Sequence, residues 1–315
     1  MRTILITGGA GFVGSALAEK IISDPENYVI IADDLTTGEI SKLPKVKTKN
    51  WRFIKCDVND YRDIAAVMHA FPFDYVFHYA AVVGVLRTQA NPVSVLRDIH
   101  GFENILMLSK NSYVKRVYFS SSSEVYGEPV DLPQNEFTTP LNSRVPYAVV
   151  KNLGEAYLKS YKKEFGLDYT IFRFFNTYGP KQSRDFVMSR FVSMALKDQN
   201  ITIYGDGSQS RTFCYIDDNI DATYNNFMNS VNYNKSDNDI INIGNDVEIP
   251  ILDLALKIIQ ITRSKSKIVH KPPLEEGDMN RRLPDITKMK SLLKRDLLPI
   301  DEGIKKLLAN PHFLR

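Results

Sequence analysis

The stretch that most restricts the fold lies at the start of the chain. Residues 3–7 (TILIT) form a short apolar run of buried-strand type, and residues 8–14 (GGAGFVG) come at once after it. A helical period is next, with Val13, Ala16, Leu17 and Ile21 on one face. Glycine between a strand and a helix lets the backbone approach a pyrophosphate at the helix N-terminus, where unpaired N–H groups favour an anion. Gly8, Gly11 and Gly14, with Phe12 and Val13 between the last two, are the candidate cradle. The next apolar run, residues 28–32, ends in Asp33. A dinucleotide fold places an acid about 20 residues past its glycines to meet the adenosine ribose hydroxyl. A carboxylate there repels a 2′-phosphate, so NAD is favoured over NADP.

Strand-like runs then alternate with helical ones. Residues 51–56 lead to Asp57 and Val58, placed to meet an adenine edge, and Asp60 can cap a helix bearing Ile64, Val67, Met68 and Phe71. Residues 74–79 lead to Ala80 and Ala81, small enough for a dinucleotide to lie close. A helix over 98–109, a strand over 115–121, a helix over 146–165 and a strand over 167–174 complete the alternation. This order predicts an α/β fold, a Rossmann-type doubly wound parallel sheet that binds ligands beyond the carboxyl ends of its strands. The expected division is 1–175 for the NAD-binding domain and 176–315 for a smaller mixed α/β substrate region, with segments near 212–245 packing back on the first. No linker rich in Pro, Gly or Ser separates them, so the second region is expected to form one wall of a cleft.

Bulk properties exclude several classes. Of 315 residues, 40 are Lys or Arg and 37 Asp or Glu, a net charge of +3. That balance is too small to favour nucleic acid or a membrane surface as partner. The basic residues at 263–267 and 288–295 read as solvated faces. Two distant cysteines, Cys56 and Cys214, and five scattered histidines offer no metal-ligand spacing. They fit a reducing compartment, and no apolar run reaches the ~20 residues that cross a bilayer. With no signal peptide in view, a cytoplasmic location is expected.

Two further stretches carry chemistry. In residues 147–151 (YAVVK) Tyr147 and Lys151 are one helical turn apart, so both project from one face. A free phenol ionises near pH ~10; a neighbouring cation favours the phenolate and brings it toward the range of a general base. The strand over 115–121 runs into residues 120–127 (SSSSEVYG). Four serines make a poor continuous strand, but hydroxyls at a strand's carboxyl end face the ligand crevice. Glu124 stands beside them as an acid or base.

The ordered set of TGGAGFVG, Asp33, SSSSEVYG, YAVVK and residues 172–180 (FRFFNTYGP) resembles the extended short-chain dehydrogenase/reductase superfamily. Within it, the resemblance is to the NAD-dependent nucleotide-sugar epimerase, dehydratase and decarboxylase branch. It covers nearly the whole chain, and residues 203–213 (IYGDGSQSRTF), 276–278 and 281–285 (RRLPD) look like the branch's nucleotide-binding segments. The resemblance implies that Lys151 holds the nicotinamide ribose and lowers the Tyr147 pKa. It implies that Ser122 orients the sugar 4-hydroxyl while Tyr147 takes its proton and the C4 hydride passes to NAD. Asn176, Tyr204, Gln209, Arg211 and Arg282 would grip the nucleotide sugar, with Ser123 and Arg87 as further contacts. It also implies a homodimer through the helices after Asp98 and around Tyr147, which the apolar Ile105, Leu108, Val149 and Leu153 permit, though these would serve an ordinary core equally well.

The branch members share C4 oxidation and differ in the chemical step after it. Simple C4-epimerases resembling UDP-galactose epimerase usually lack an acid at the Glu124 position, whereas UDP-glucuronate decarboxylases and GDP-mannose dehydratases carry Thr-Ser-Glu there. Ser123 replaces the aspartate of dTDP-glucose dehydratases, which argues against that reaction. RRLPD and residues 208–211 look most like the decarboxylases; residues 82–87 read more like an epimerase loop, and 181–185 is shorter than the decarboxylase counterpart. The expectation is a UDP-glucuronate-decarboxylase-like enzyme or a C4-epimerase. A 4-dehydrogenase or 4-ketoreductase, a GDP-sugar 4,6-dehydratase and a non-catalytic NAD-binding scaffold remain as alternatives.

Overall fold

The computed structural model describes residues 1–46, 48–233, 239–273, 281–311 and 313. Residues 276–278, and most of the polar segment at 232–239, lie outside them.

The first half alternates strand and helix. In chain order come β1 (Arg2–Thr7), α1 (Phe12–Ile22), β2 (Asn27–Asp33), β3 (Trp51–Lys55), α2 (Tyr61–Ala70) and β4 (Tyr75–His78). Next are α3 (Val85–Ala90), α4 (Pro92–Leu96), α5 (Asp98–Asn111), β5 (Arg116–Ser122), α6 (Pro146–Phe165) and β6 (Asp168–Phe174). With the strand Asp239–Ile243 they make a seven-stranded sheet, ordered Asp239–Ile243, β6, β5, β4, β1, β2, β3. The pairs β1–β2, β2–β3, β1–β4 and β4–β5 are parallel.

Side chains alternate across a strand, and both faces of this sheet are covered. Leu5, Ile30, Val76, Val117, Phe119 and Ile171 share one core cluster with Ile64, Val67 and Met68 of α2, Phe102 and Ile105 of α5, and Val150 and Leu158 of α6. The intervening positions build the other face. Phe77 stacks on Tyr118 at 4.3 Å, and Phe227, from the helix Ile216–Tyr233, meets Phe77 edge-on at 5.6 Å. Asp60 caps α2 as its residue type predicts, its carboxylate accepting from the Arg62 N–H at 2.8 Å.

Several expectations change. The serine run does not end the strand at 121: β5 continues, wholly buried, through Ser122, because its neighbours supply the ladder that propensity lacks. Of residues 82–87, read as a loop, those from 85 onward belong to α3, which starts after Gly84 at φ +106°. Ile105 and Leu108 are 0% and 2% exposed and belong to the core, not to an outer face. Arg295 is exposed, and it also pairs with the fully buried Asp218 at 2.5 Å.

The chain forms two compact units. One comprises Met1–Val125, Ser143–Arg173 and Ile220–Ile241; the other comprises Tyr126–Asn142, Phe174–Asn219 and Asn242–Arg315. Tyr126–Asn142 thus joins the second unit despite lying before 175, and Ile220–Ile241, within the 212–245 stretch, belongs to the first. In the second unit a buried polar network ties distant segments: Asn242 binds Tyr126, the Gln134 carbonyl and the Glu136 carboxylate, at 2.7, 2.9 and 2.9 Å.

Candidate active site

The order in which the chain adds strands reverses at β1. From there the chain goes through α1 to β2 on one side and later returns to β4 on the other, so a crevice opens beyond the carboxyl ends of β1 and β4. Thr7, the last residue of β1, organises this point. Its hydroxyl meets His78 Nδ1 at 2.9 Å and accepts from the N–H groups of Tyr79 and Ala80 at 3.2 Å each.

The three glycines play different parts. Gly8 has φ +67°, and a Cβ there would lie 2.6 Å from the Ala80 nitrogen. A Cβ on Gly14 would lie 2.4 Å from the Gly8 oxygen, so these two are glycine because the turn itself is tight. Gly11 is the N-cap of α1 and makes no side-chain cap; a Cβ there would meet only the Gly8 oxygen, at 3.0 Å. Its missing side chain leaves the start of α1, with Phe12 and Val13 as first helical residues, open to an anion.

Asp33 stands at the end of β2, 7% exposed. One carboxylate oxygen takes the Ala10 N–H at 3.0 Å and the other the Leu35 N–H at 2.9 Å. Burial pushes this carboxyl above its ordinary range, against those two N–H groups, which pull it down. The acid is therefore aimed by the glycine turn it serves. Of the adenine-edge candidates, Asp57 is half-buried with its carboxylate on the Asn59 N–H at 2.9 Å. Val58 is packed in the core, its carbonyl taken by Asn104 at 2.9 Å. Ala80 and Ala81 are half-buried at the end of β4. An uncapped helix start, a turn free of side chains and an oriented acid fit NAD.

Beside this crevice, β5 and α6 bring the reactive groups together. Lys151 is 2% exposed; its ammonium donates to the Ser120 carbonyl at 2.6 Å and lies 4.9 Å from the centre of the Phe119 ring. The Tyr147 ring centre is 5.8 Å from the same ammonium, one helical turn back. Burial lowers the Lys151 pKa to about 8, opposed by the charge of Asp98. Asp98, itself pushed up by burial, accepts from the Val82 N–H at 2.8 Å. Ser122 is 8% exposed, and its hydroxyl accepts from the Glu124 N–H at 3.2 Å, so acid and hydroxyl share one turn. Ser123 is buried and Glu124 half-buried.

Not every serine faces the crevice. Ser121 donates at 2.7 Å to Glu155, whose carboxylate also takes Arg173 through two bonds. Glu155 extends the stripe Tyr147, Lys151, Glu155 along α6, a spacing visible in the sequence, and it fixes the helix against β5. Thr7, His78 and Asp98 carried no sequence signal, since only the fold brings them together. His78 is buried, and burial with the nearby Lys151 charge lowers its pKa to about 3, so it stays neutral.

The remaining candidates divide between the units. Arg87 lies on α3 of the first, donating to the Val83 carbonyl at 3.2 Å. Asn176, Tyr204, Gln209, Arg211 and Arg282 belong to the second. The Asn176 carbonyl accepts from the Cys214 N–H at 2.8 Å, and the Gln209 amide donates to the Tyr204 carbonyl at 3.0 Å. Arg211, on a strand paired with Glu248–Pro250, is 7% exposed and Arg282 8%. Arg281 is instead an exposed partner of Glu248, at 2.5 Å. Among the described residues no cluster of His, Cys, Asp and Glu could hold a metal, and no helix is long and apolar enough to cross a membrane.

A phenol one helical turn from a buried ammonium, beside a crevice that fits NAD, is an arrangement suited to hydride transfer. Comparison with known proteins carries this further. The model of the NAD dependent epimerase/dehydratase family matches residues 4–244, and the chain belongs to that family. It is 36% identical to a putative UDP-glucose 4-epimerase of Methanocaldococcus jannaschii, covering 97% of each chain. It is also 36% identical to the UDP-N-acetyl-alpha-D-glucosaminuronate decarboxylase of Bacillus cytotoxicus, over 98% of this chain and 97% of the other. A UDP-glucose 4-epimerase of Thermotoga maritima, solved with UDP-glucose, superposes with a TM-score of 0.89 at 31% identity, covering 98% of each chain.

Proposed function

We propose that the protein acts on a UDP-linked sugar, withdrawing hydride from C4 and completing either loss of a C6 carboxylate or inversion at C4. The observation that supports this is the Tyr147–Lys151 pair on α6, whose ammonium bonds the Ser120 carbonyl of the strand that ends in Ser122. When bound, NAD accepts the C4 hydride and can return it. Tyr147 takes the C4 hydroxyl proton, and the buried Lys151 charge stabilises the phenolate that does so. Ser122 orients the hydroxyl. Proton and hydride leave together or nearly so, since neither an alkoxide nor a protonated ketone is stable in a dry site. Gly11, Phe12 and Val13 hold the pyrophosphate and Asp33 the adenosine ribose.

Glu124 favours the decarboxylase branch. A 4-ketone lets a C6 carboxylate depart as CO2, the electron pair remaining at C5 as an enolate, and Glu124 stands ready to return a proton there. The epimerase reading draws support from relatives of equal identity. Arg211 and Arg282 are read as the diphosphate grip, since a planar guanidinium fork binds two oxygens at once. Asn176, Tyr204 and Gln209 complete the nucleotide and sugar contacts, with Ser123 and Arg87 toward the sugar. A homodimer through α5 and α6 is supported by Met107 and Val149, exposed to 36% and 44% on these helices. Free, buried Cys56 and Cys214 fit a reducing cytoplasm.

Incubating the protein with UDP-glucuronic acid, UDP-N-acetylglucosaminuronic acid, UDP-glucose and UDP-N-acetylglucosamine, with mass spectrometry of products, tests the reading. Loss of CO2 marks decarboxylation. Unchanged mass with altered chromatographic mobility marks epimerisation. Turnover of none of them, with NAD bound, overturns it.

A further inference from the structure

Arg190 has no part in the site described so far. It lies on the helix Val187–Ala195, whose buried residues are Met188, Ser189, Phe191, Val192 and Ala195. Its guanidinium carbon is 5.8 Å from the centre of the Tyr204 ring and 5.7 Å from that of Phe191. The Nε atom is shielded from water and meets no hydrogen-bond acceptor, and among the described residues no carboxylate pairs with this side chain. Arginine is charged at any physiological pH, and partly buried charges are ordinarily paired. Even the exposed arginines Arg281 and Arg295 of this unit have carboxylate partners, Glu248 and Asp218. Among the described residues, the Arg190 guanidinium meets aromatic faces.

The ring it lies against belongs to the proposed nucleotide site. Tyr204 ends the strand Ile201–Tyr204, Gly205 turns the chain at φ +71°, and the Gln209 amide returns to the Tyr204 carbonyl at 3.0 Å. A planar guanidinium on a planar phenol makes a platform that a flat base can join, by stacking and by accepting an N–H at its edge.

We propose that Arg190 reads the base of the nucleotide, its guanidinium donating to a ring carbonyl oxygen such as those of uracil, thymine or guanine. This rests on the nucleotide-sugar reading above and specifies the group that recognises the base. A base carbonyl is favoured over the diphosphate because Arg190 sits among aromatic rings, and because Arg211 and Arg282 already serve as the anion grip in that reading. Adenine, which has no ring carbonyl, gains nothing from it.

The test measures binding of UDP, ADP and inorganic pyrophosphate to the NAD-loaded full chain, by calorimetry, for the wild type, Arg190→Met and Arg190→Lys. Arg190→Met keeps the apolar stem over Tyr204 while removing the donors, so NAD content and melting temperature are expected to stay at wild-type values. UDP affinity is expected to fall 10- to 100-fold, with ADP and pyrophosphate unchanged and the preference for UDP over ADP collapsing. Arg190→Lys keeps the charge without the fork and is expected to lose much of that preference; it carries the test if the methionine variant folds poorly. Unchanged UDP affinity in both variants overturns the proposal. An equal loss for pyrophosphate overturns the base assignment in favour of a phosphate contact. If the wild type binds no nucleoside diphosphate, the nucleotide-sugar reading itself falls and the role of Arg190 with it.

Discussion

Glu155→Ala would remove the partner of a buried charge directly beneath the reactive pair. Glu155 is fully buried and takes Nε and Nη2 of Arg173 at 2.9 and 2.7 Å, and the Ser121 hydroxyl at 2.7 Å. Arg173 is 1% exposed, so its guanidinium would keep its charge while losing both Glu155 bonds and gaining little water. Breaking one half of such a pair costs about 3–5 kcal/mol, and the lost Ser121 bond about 1 kcal/mol more. Lys159, at 3.8 Å and half in water, contributes little. The total, about 4–6 kcal/mol, is a large share of the 5–15 kcal/mol that typically holds a domain. Urea denaturation at a fixed NAD concentration measures it, since bound cofactor shifts apparent stability. Glu155→Leu with Arg173→Met removes both charges and is expected to recover much of the loss. A cost below about 1 kcal/mol for Glu155→Ala, or a double variant losing the sum of the two singles, would refute the reasoning.

Gly154→Ala sets helix propensity, worth about 1 kcal/mol in favour of alanine, against a Cβ lying 2.6 Å from Phe102 and 3.0 Å from Phe119. Overpacking of about 1–3 kcal/mol should win, lowering the urea midpoint and, because Lys151 is on the same turn of α6, the turnover number. His78 stays neutral in the fold down to about pH 3, while in the unfolded chain it protonates near ~6.5. Between those values only the unfolded chain carries the proton. Stability is therefore full above the upper value and falls as pH drops through the window, by up to about 1.4 kcal/mol per unit. A His78→Gln variant should show a shallower decline in urea midpoint across a pH series. Asp33→Asn removes the ribose carboxylate and should weaken NAD by about 10-fold or more, a charged hydrogen bond's worth, while narrowing the preference over NADP. Fluorescence titration with both cofactors checks it, and an unchanged preference would place the ribose elsewhere.

Much of the first unit was legible because its strands are buried on both faces and read as unbroken apolar runs between glycine or polar turns. The pair Tyr147 and Lys151 was legible because helical spacing alone puts them on one face. What was missed depends on contacts far apart in sequence. Nothing near Thr7 announces that its hydroxyl receives Tyr79 and Ala80, and nothing near Asp98 announces Val82. Ile105 and Leu108 looked available for an interface because apolar periodicity marks a buried face without saying what covers it; here it is the sheet and α6. Ser122 defeated strand propensity because a central strand's ladder outweighs the preferences of its own residues. Arg190 was invisible for the opposite reason: a single arginine on an amphipathic helix is ordinary until no carboxylate pairs with it among the described residues.

The most direct measurement of the proposed chemistry is turnover and NADH absorbance for Tyr147→Phe, with NAD bound and UDP-glucuronic acid and UDP-glucose supplied in turn. The ring and the Lys151 contact survive the change, so NAD binding and melting temperature should hold. Loss of the phenolic proton acceptor should cut turnover by about 10²–10⁴-fold and abolish any sugar-dependent NADH signal. Undiminished NADH formation or product turnover in the variant would contradict the assignment of Tyr147 as the base that starts the reaction.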